Sequence, residues 1–258
     1  MEFVFETVRL LFVSVFFIYL SWLDYRAREV DNKYWVLATP IFFGLTMLQI
    51  CLFSPELLLM YLACIIISSA LALGMFYMAG FGGADAKALI VLAIAMPFSP
   101  KILSGLIIMP SIFSKFFFPL TVLLNATLME LLLAVYFLLK NLAKIVRHES
   151  IFREYKLPLW KKPLLMLTGY RTAISKLEKT KFAYPLEKPE QTGIIVRLMP
   201  DYEKRNERLE QLKQAKGAEA EVWATPGLPF LIFMTAGMFL SLFFDVFAVF
   251  FQLFGVTF

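Results

Sequence analysis

Two aspartates stand at the ends of long apolar runs, where a carboxylate is costly unless it has a role. Asp24 follows the first apolar run, and Asp85 lies in the turn Gly82-Gly83-Ala84-Asp85-Ala86-Lys87 between two others. Two close carboxylates share one proton, because both cannot ionise cheaply at short range. One can then activate water while the other, protonated, polarises a carbonyl. This pairing points to aspartic proteolysis.

Few other side chains could carry hydrolytic chemistry. The chain has a single histidine, His148, in a charged stretch, and its two cysteines, Cys51 and Cys64, lie in apolar segments without metal-ligand spacing. A zinc site or a Ser-His or Cys-His nucleophile system would lack its usual base. We therefore predict no metal and no cofactor.

Composition indicates an integral membrane protein. Hydrophobic residues make up 60% of the 258 positions, and the mean hydropathy is +0.72, whereas soluble domains are nearer 45–50% apolar. A spanning helix needs about 20 mostly apolar residues. Six segments qualify: residues 3–23, 34–53, 57–78, 86–109, 118–139 and 228–251. The fourth, which contains Pro97, Ser99 and Pro100, could instead be a short helix followed by a re-entrant piece. The first has no small-residue cleavage site at its end, so we expect it to stay in the membrane.

Positive charge sets the expected orientation. The polar region 140–226 holds 18 of the 25 Lys and Arg residues, and the turns after segments one and three bring that side to 22. Positive loops stay cytoplasmic, so both aspartate-bearing turns should face the cytoplasm and both termini should lie outside. Glu6 and Arg9, near the start of segment one, should snorkel to the opposite surface. The dispersed basic residues carry no nucleic-acid-binding motif, so a nucleic-acid partner is not expected.

The fold class expected is an all-α polytopic membrane protein with a small cytoplasmic α+β domain before the last helix. The predicted domains are residues 1–139 with five helices and the catalytic turns, 140–226 as the soluble domain, and 227–258 as the sixth helix. Within the soluble domain, residues 170–175 and 181–184 favour two strands of an antiparallel sheet, and 221–225 could form another. Residues 202–216, with Leu209 and Leu212 among many charges, favour an exposed amphipathic helix.

Charged neighbours of the two aspartates allow two readings. Arg28 is four residues after Asp24 and could pair with it on a helix, but Arg26 and Arg28 could equally act only as orientation signals. Lys87 could tune Asp85 or anchor the chain to lipid headgroups. Asp31 is a weaker candidate for the pair, since it lies farther into the polar turn. Glycines 82 and 83 would let the backbone turn tightly and let an extended substrate approach.

At these residues the chain resembles the type IV prepilin and preflagellin peptidase family of membrane aspartyl proteases. The family's second aspartate follows a Gly-x-hydrophobic-Asp pattern, often Gly-x-Gly-Asp, usually with Lys two positions later; residues 82–87 match it, with Ala84 where Gly is commoner. Its first aspartate precedes a basic turn and an Asn, as in residues 24–32 here. The bacterial cysteine-bearing insertion before the first aspartate is missing. The polar domain and Trp223-Ala224-Thr225-Pro226-Gly227-Leu228-Pro229 look like the archaeal preflagellin peptidase.

The resemblance implies Asp24 and Asp85 as the catalytic pair. It also implies preflagellin or pilin-like preproteins as substrates, each with a short basic leader before a hydrophobic helix. Glu29 and Asp31 could attract such a leader, or could simply be solvated. A six-helix transporter or a noncatalytic assembly factor is the alternative, although transporters usually place ionisable groups near the bilayer midplane and often show inverted repeats. No oligomeric state follows from the sequence.

Overall fold

The computed structural model describes residues 1–79, 81–106, 111–147, 151–152, 155, 157–180, 182–188, 191–194, 204–227 and 229–255. The chain divides into two compact units. One comprises Met1–Glu130 together with Pro229–Phe258, and the other is Leu131–Leu228. The first contains the apolar helices that carry both aspartates. The second contains most of the polar region.

Four helices are long and apolar enough to cross a membrane, and they confirm predicted segments one, two, three and five as helices. They are α1 (Glu2–Ala27), α2 (Asn32–Phe53), α3 (Leu58–Ala79, preceded by the 3-10 turn Pro55–Leu57) and α6 (Phe118–Val146). The last of these extends seven residues past its predicted end at Leu139. The protein is therefore a multi-pass membrane protein.

Predicted segment four is broken, as its two prolines suggested. Its helix, α4 (Gly83–Ala95), has 13 residues and is about 20 Å long, which is shorter than the hydrocarbon core of about 30 Å. A 3-10 helix (Lys101–Leu106) and α5 (Ile112–Phe116) follow. Residues 107–109 of the prediction lie outside the described residues.

The C-terminal end of α4 is buried, and neighbouring side chains satisfy its carbonyl groups. Thr46 on α2 donates to the Ala95 carbonyl at 3.2 Å, and Tyr61 on α3 donates to the Ile94 carbonyl at 3.1 Å. The Cys64 thiol donates to the Pro97 carbonyl at 3.6 Å. A helix can end inside a bundle only when its last carbonyls find such partners. These contacts from α2 and α3 let α4 stop where it does.

Predicted segment six is wrong as one continuous helix. The structure has α10 (Phe230–Ser241) and α11 (Val246–Leu253), separated by a break at Asp245. Asp245 is fully buried; its side chain caps α11 through the Phe247 amide at 3.0 Å and accepts from the Ser111 amide at 2.8 Å. Asn125 donates to the Phe244 carbonyl in the break. The count of six spans therefore stays a prediction.

The second unit holds a small antiparallel sheet. Its strands are β1 (Tyr170–Ala173), β2 (Ala183–Pro185) and β5 (Glu221–Pro226), in the order β1-β5-β2, and β3 (Glu187–Lys188) pairs separately with β4 (Gln191–Ile194). The helices are α7 (Lys161–Thr168), α8 (Ile174–Lys179) and α9 (Arg205–Lys216). All three predicted strands are present, but the first two pair with β5 and not with each other. Residues 174–175 belong to α8, and residue 181 lies outside the described residues.

Predicted helix 202–216 is confirmed from Arg205 onward as α9, which buries Leu209 and Leu212 and exposes most other side chains. Glu187, 1% exposed, accepts hydrogen bonds from the Tyr155 hydroxyl, the Trp223 amide and the Lys216 ammonium at 2.5–2.7 Å. A buried carboxylate that accepts three hydrogen bonds joins the segments that supply the donors. Glu187 therefore has a structural role in the second unit.

Candidate active site

Asp24 lies on the inward face of α1, in its last turns. The buried residues of α1 recur at helical spacing and form one stripe: Glu6, Arg9, Val13, Phe17, Leu20, Ser21 and Asp24. Asp24 is 7% exposed, so the bundle encloses its side chain. The 3.6-residue period, and not the polarity of the residue, puts a carboxylate at the end of this stripe.

The two arginines that follow Asp24 have different surroundings. Arg28 follows the last residue of α1 and adopts the left-handed conformation (φ 59°). Its backbone amide donates to the Asp24 carbonyl at 2.9 Å. Its guanidinium also interacts electrostatically with the Asp24 carboxylate. Arg26 is exposed and its guanidinium lies 5.0 Å from the centre of the Trp22 ring. Arg28 is therefore the arginine placed beside Asp24.

Asp85 lies in the first turn of α4 and is 9% exposed. The backbone groups of Gly82, which precedes α4, and of Leu231, in the first turn of α10, favour the ionised form of its carboxyl group. Its Oδ1 is buried and has no hydrogen-bond partner among the described residues. A buried acceptor without a donor is costly, so this oxygen is a site for a proton, water or substrate.

The two carboxyl groups are electrostatic neighbours. Burial, followed by the negative charge of Asp24, raises the pKa of Asp85 to about 7, while the backbone amides of Gly82 and Leu231 act in the opposite direction. No hydrogen bond joins the Asp24 and Asp85 side chains, both of which the structure describes. Asp85 is not part of any of the four spanning helices. The first turn of α4 thus presents a carboxyl group whose pKa lies well above that of a free aspartate.

The sequence suggested that Gly82 allows a tight turn, but the structure gives a different reason for a glycine at this position. Its backbone is in the extended region (φ −63°, ψ 144°), which any residue adopts. A Cβ at this position, however, would lie 2.5 Å from Asp85 Oδ2. At Gly83 a Cβ would meet only Phe76 Cε2, at 3.7 Å. Gly82 therefore makes room for the carboxylate, whereas Gly83 has ordinary packing space.

Lys87 connects the two aspartate-bearing turns. Its ammonium donates to the Asn32 side-chain oxygen at 2.5 Å, and Asn32 opens α2 directly after the turn that follows Asp24. Ala84 is partly buried against the hydrophobic core of the first unit. Glu29 and Asp31 are exposed, and Asp31 forms an ion pair with Lys33 at 2.5 Å.

Sequence reasoning missed Glu130, whose negative charge also raises the pKa of Asp85, by less than burial and Asp24 do. Glu130 lies within the apolar helix α6 and is exposed. An ionisable residue inside a spanning helix is a functional candidate by default, and this signal could have found it. A second missed feature joins α1 to α10: the Ser21 and Thr235 hydroxyls are 2.6 Å apart, and Ser21 also donates to the Leu231 carbonyl at 3.1 Å.

The described residues contain no group of three or more His, Cys, Asp or Glu that could hold a metal ion. The chemistry available at the site is that of two buried carboxyl groups, an adjacent arginine and the amides at a helix start. The absence of a metal and of a cofactor stays a prediction.

Fold and site together define a multi-pass membrane protein with paired carboxylates at helix ends. A model of the type IV leader peptidase family matches residues 11–139, and a model of the C-terminal region of archaeal A24 peptidases, type II, matches residues 161–245. The chain belongs to the type IV leader peptidase family, in agreement with the resemblance of its two aspartate motifs to prepilin and preflagellin peptidases. No curated protein matches the chain.

Proposed function

We propose that this leader peptidase is a membrane-embedded aspartyl endopeptidase that removes the short basic leader from preflagellin or pilin-like preproteins at the cytoplasmic surface. Membership of the family establishes the peptidase class. The observation that carries the finer proposal is the electrostatic pairing of Asp85 with Asp24, two buried carboxyl groups on different helices. Such a pair shares one proton, as aspartic proteolysis requires.

In the proposed mechanism Asp85 holds the shared proton, because burial favours its neutral form, and Asp24 is the ionised partner beside Arg28. Asp24 removes a proton from water as the oxygen attacks the scissile carbonyl carbon. Asp85 donates its proton to the carbonyl oxygen, which gives a neutral gem-diol. Asp24 then gives the proton it took from water to the leaving nitrogen while Asp85 takes a proton from one gem-diol hydroxyl, so that the C–N bond breaks, the carboxylic acid product forms and the dyad again holds one proton, on Asp85. The two groups titrate as a pair.

The substrate class follows from the family and from the location of the site. A leader rich in Lys and Arg would meet the exposed carboxylates Glu29 and Asp31 in the turn after Asp24, and Asp31 would have to exchange Lys33 for the leader. The hydrophobic helix of the preprotein would stay in the lipid. Cleavage between these two parts needs a site at the membrane edge, where water is available.

Substrate binding is proposed to complete the site. Because the two carboxyl groups interact by charge but not through a hydrogen bond, we expect the substrate and its water to draw them together. A structure of the free enzyme with the Asp24 and Asp85 oxygens within hydrogen-bond distance would contradict this part of the proposal.

The test is a processing assay on purified full-length enzyme with preflagellin and prepilin substrates. Asp24→Asn and Asp85→Asn should each reduce cleavage by at least about a hundredfold, since each removes one member of an acid–base pair. Glu56→Gln, a change to an exposed carboxylate in the 3-10 turn before α3 and away from the aspartate-bearing turns, is the control and should retain most activity. Cleavage should persist in EDTA and after treatment with serine- and cysteine-directed reagents.

Full activity of either dyad variant would overturn the assignment, and loss of activity in EDTA would point to a metal. A transporter or a noncatalytic assembly factor would show no cleavage even in the wild type. The assay therefore separates these alternatives without assuming which preprotein is preferred.

A further inference from the structure

A cavity of about 670 Å³ lies within the first unit, at the end of α1 that is farthest from Asp24. Its walls come from the start of α1, the end of α2, and the segments before and after the 3-10 helix Lys101–Leu106. Glu6 and Asp24 are 18 positions apart on one helix, which corresponds to about 27 Å, close to the thickness of the hydrocarbon core. The cavity and the dyad are therefore at opposite ends of the bundle.

The lining of the cavity combines charged and polar residues with apolar ones. Glu6 and Arg9 were expected to snorkel outward, but each is 4% exposed and both turn inward onto the cavity. Glu6 accepts the Ile102 amide at 3.0 Å, and Lys101 binds Glu2 at 2.5 Å. Three cationic residues line the cavity against two carboxylates, the third cation being Lys115. The excess charge suits an anion.

Gln49 gives the cavity an unused acceptor. This residue is 7% exposed and lines the cavity, yet its buried Oε1 has no hydrogen-bond partner in the part of the chain that the structure describes. Leaving a buried amide oxygen without a donor costs on the order of 1–3 kcal/mol. A ligand that fills the cavity should therefore bring a donor to this oxygen.

We propose that this cavity binds a phosphate group that carries a neighbouring hydroxyl or ammonium donor, with the phosphate at Arg9 and Lys115 and the donor at Gln49. An arginine guanidinium is well suited to phosphate oxygens. The apolar side chains Ile50, Leu57 and Phe98 in the same lining accommodate the carbon chains of a lipid. A phospholipid headgroup and a free phosphate ester share this recognition chemistry. The site does not depend on the proposed proteolytic function.

The test compares ligands on the full-length protein in detergent by thermal shift. The probes are short-chain phosphatidylglycerol, whose headgroup has hydroxyl donors; short-chain phosphatidylcholine, whose headgroup has none; glycerol phosphate; and inorganic phosphate. Phosphatidylglycerol should stabilise the wild type and bind about tenfold more tightly than phosphatidylcholine, which is the factor expected for one buried hydrogen bond. A comparable effect of glycerol phosphate would identify a soluble ester as a sufficient ligand.

Two variants test the two parts of the site, the Gln49 acceptor and the cationic residues at the phosphate. Neither variant leaves a buried charge without its partner. Gln49→Leu should unfold at the same temperature as the wild type or higher without ligand, because it removes an unsatisfied oxygen, and should abolish the preference for phosphatidylglycerol. Lys115→Gln should weaken both lipids. Equal shifts for both lipids in the wild type and in Gln49→Leu would overturn the proposal, as would the lack of any shift.

Discussion

At the scale of single residues, the space beside Asp85 is the most restrictive feature of the site. Gly82 and Gly83 look equivalent in the sequence, yet only Gly82 faces the carboxylate at a distance that excludes a methyl group. Gly82 therefore affects the position of the Asp85 carboxyl group, whereas Gly83 has ordinary packing space.

We expect Gly82→Ala to reduce processing by about tenfold or more, because the new methyl would displace Asp85 Oδ2 from its position. A small misplacement of a reacting group is costly in rate. The matched control is Gly83→Ala, which should keep activity within about a factor of three, since its methyl makes an ordinary contact with Phe76. Both should unfold at nearly the wild-type temperature. Equal activities of the two variants would refute this account.

The charge of Glu130 leads to a prediction about pH. A raised pKa means that Asp85 holds its proton below about pH 7 and loses it above, so activity should fall as the pH rises through this range and the second carboxyl ionises. Glu130→Gln removes a negative charge that raises the pKa of Asp85. The pKa should fall, and the alkaline limb of the kcat/KM profile should shift to lower pH by less than one pH unit.

The control for this shift is Glu56→Gln, a change to an exposed carboxylate in the 3-10 turn before α3, which should leave the profile unchanged. A limb that stays in place in Glu130→Gln, or moves to higher pH, would show that Glu130 has no effect on the dyad.

Some of the residues of the candidate site could be predicted from the sequence. Asp24 and Asp85 stand out because each ends or begins an apolar run beside a recognisable pattern. Glu130 stands out only as an ionisable residue in an apolar helix, and Gln49 has no such signal; the significance of both comes from the residues that other helices bring next to them. The reason for Gly82 is a contact made by the folded chain, which spacing along the chain does not show.

At the scale of elements, the interrupted helices were the hardest to predict. Hydropathy found segments four and six but not how they end inside the bundle. Pro97 and Pro100 signalled the first break. Asp245 signalled the second as a helix-capping residue, although the apolar run around it hides the signal in a window average. The sheet order was also beyond local patterns, because the central strand β5 is the last in sequence and pairs across a long stretch of chain.

The approach of α10 to α6 depends on a single glycine. A Cβ at Gly237 would lie 2.7 Å from the Ala126 amide nitrogen and 2.8 Å from the Val122 carbonyl oxygen. Small residues allow such backbone contact between membrane helices. Because the Leu231 backbone on α10 favours the ionised form of Asp85, the position of α10 against α6 matters for the site.

We therefore expect Gly237→Ala to lower the free energy of unfolding by about 1–3 kcal/mol, since the two backbones must separate, and to lower the thermal unfolding temperature in detergent. Gly74→Ala, in the middle of α3 with nothing within 4 Å of the new methyl, is the control. It should be neutral or stabilising by up to about 1 kcal/mol. Equal unfolding temperatures would contradict close packing at Gly237.

At the scale of the whole molecule, composition and charge already indicated the class. The apolar content requires a membrane, and the concentration of Lys and Arg in the turns after segments one and three and in residues 140–226 sets the expected orientation. The division of the contacts, however, falls at residues 130/131 and 228/229. The long helix α6 thus contributes to both units, which no composition boundary along the chain reveals.

The anchored end of α4 has a mechanical consequence. Side chains of α2 and α3 bind the carbonyl groups of Ile94 and Ala95 at its end and of Pro97 just beyond it, so a shift of α4 along its axis would break these three hydrogen bonds. We therefore expect any change in the distance between the two aspartates to come from the first turn of α4, around Gly82, or from α1. The C-terminal end of α4 should then stay in place when substrate binds, while its first turn, with Asp85, or α1, with Asp24, moves.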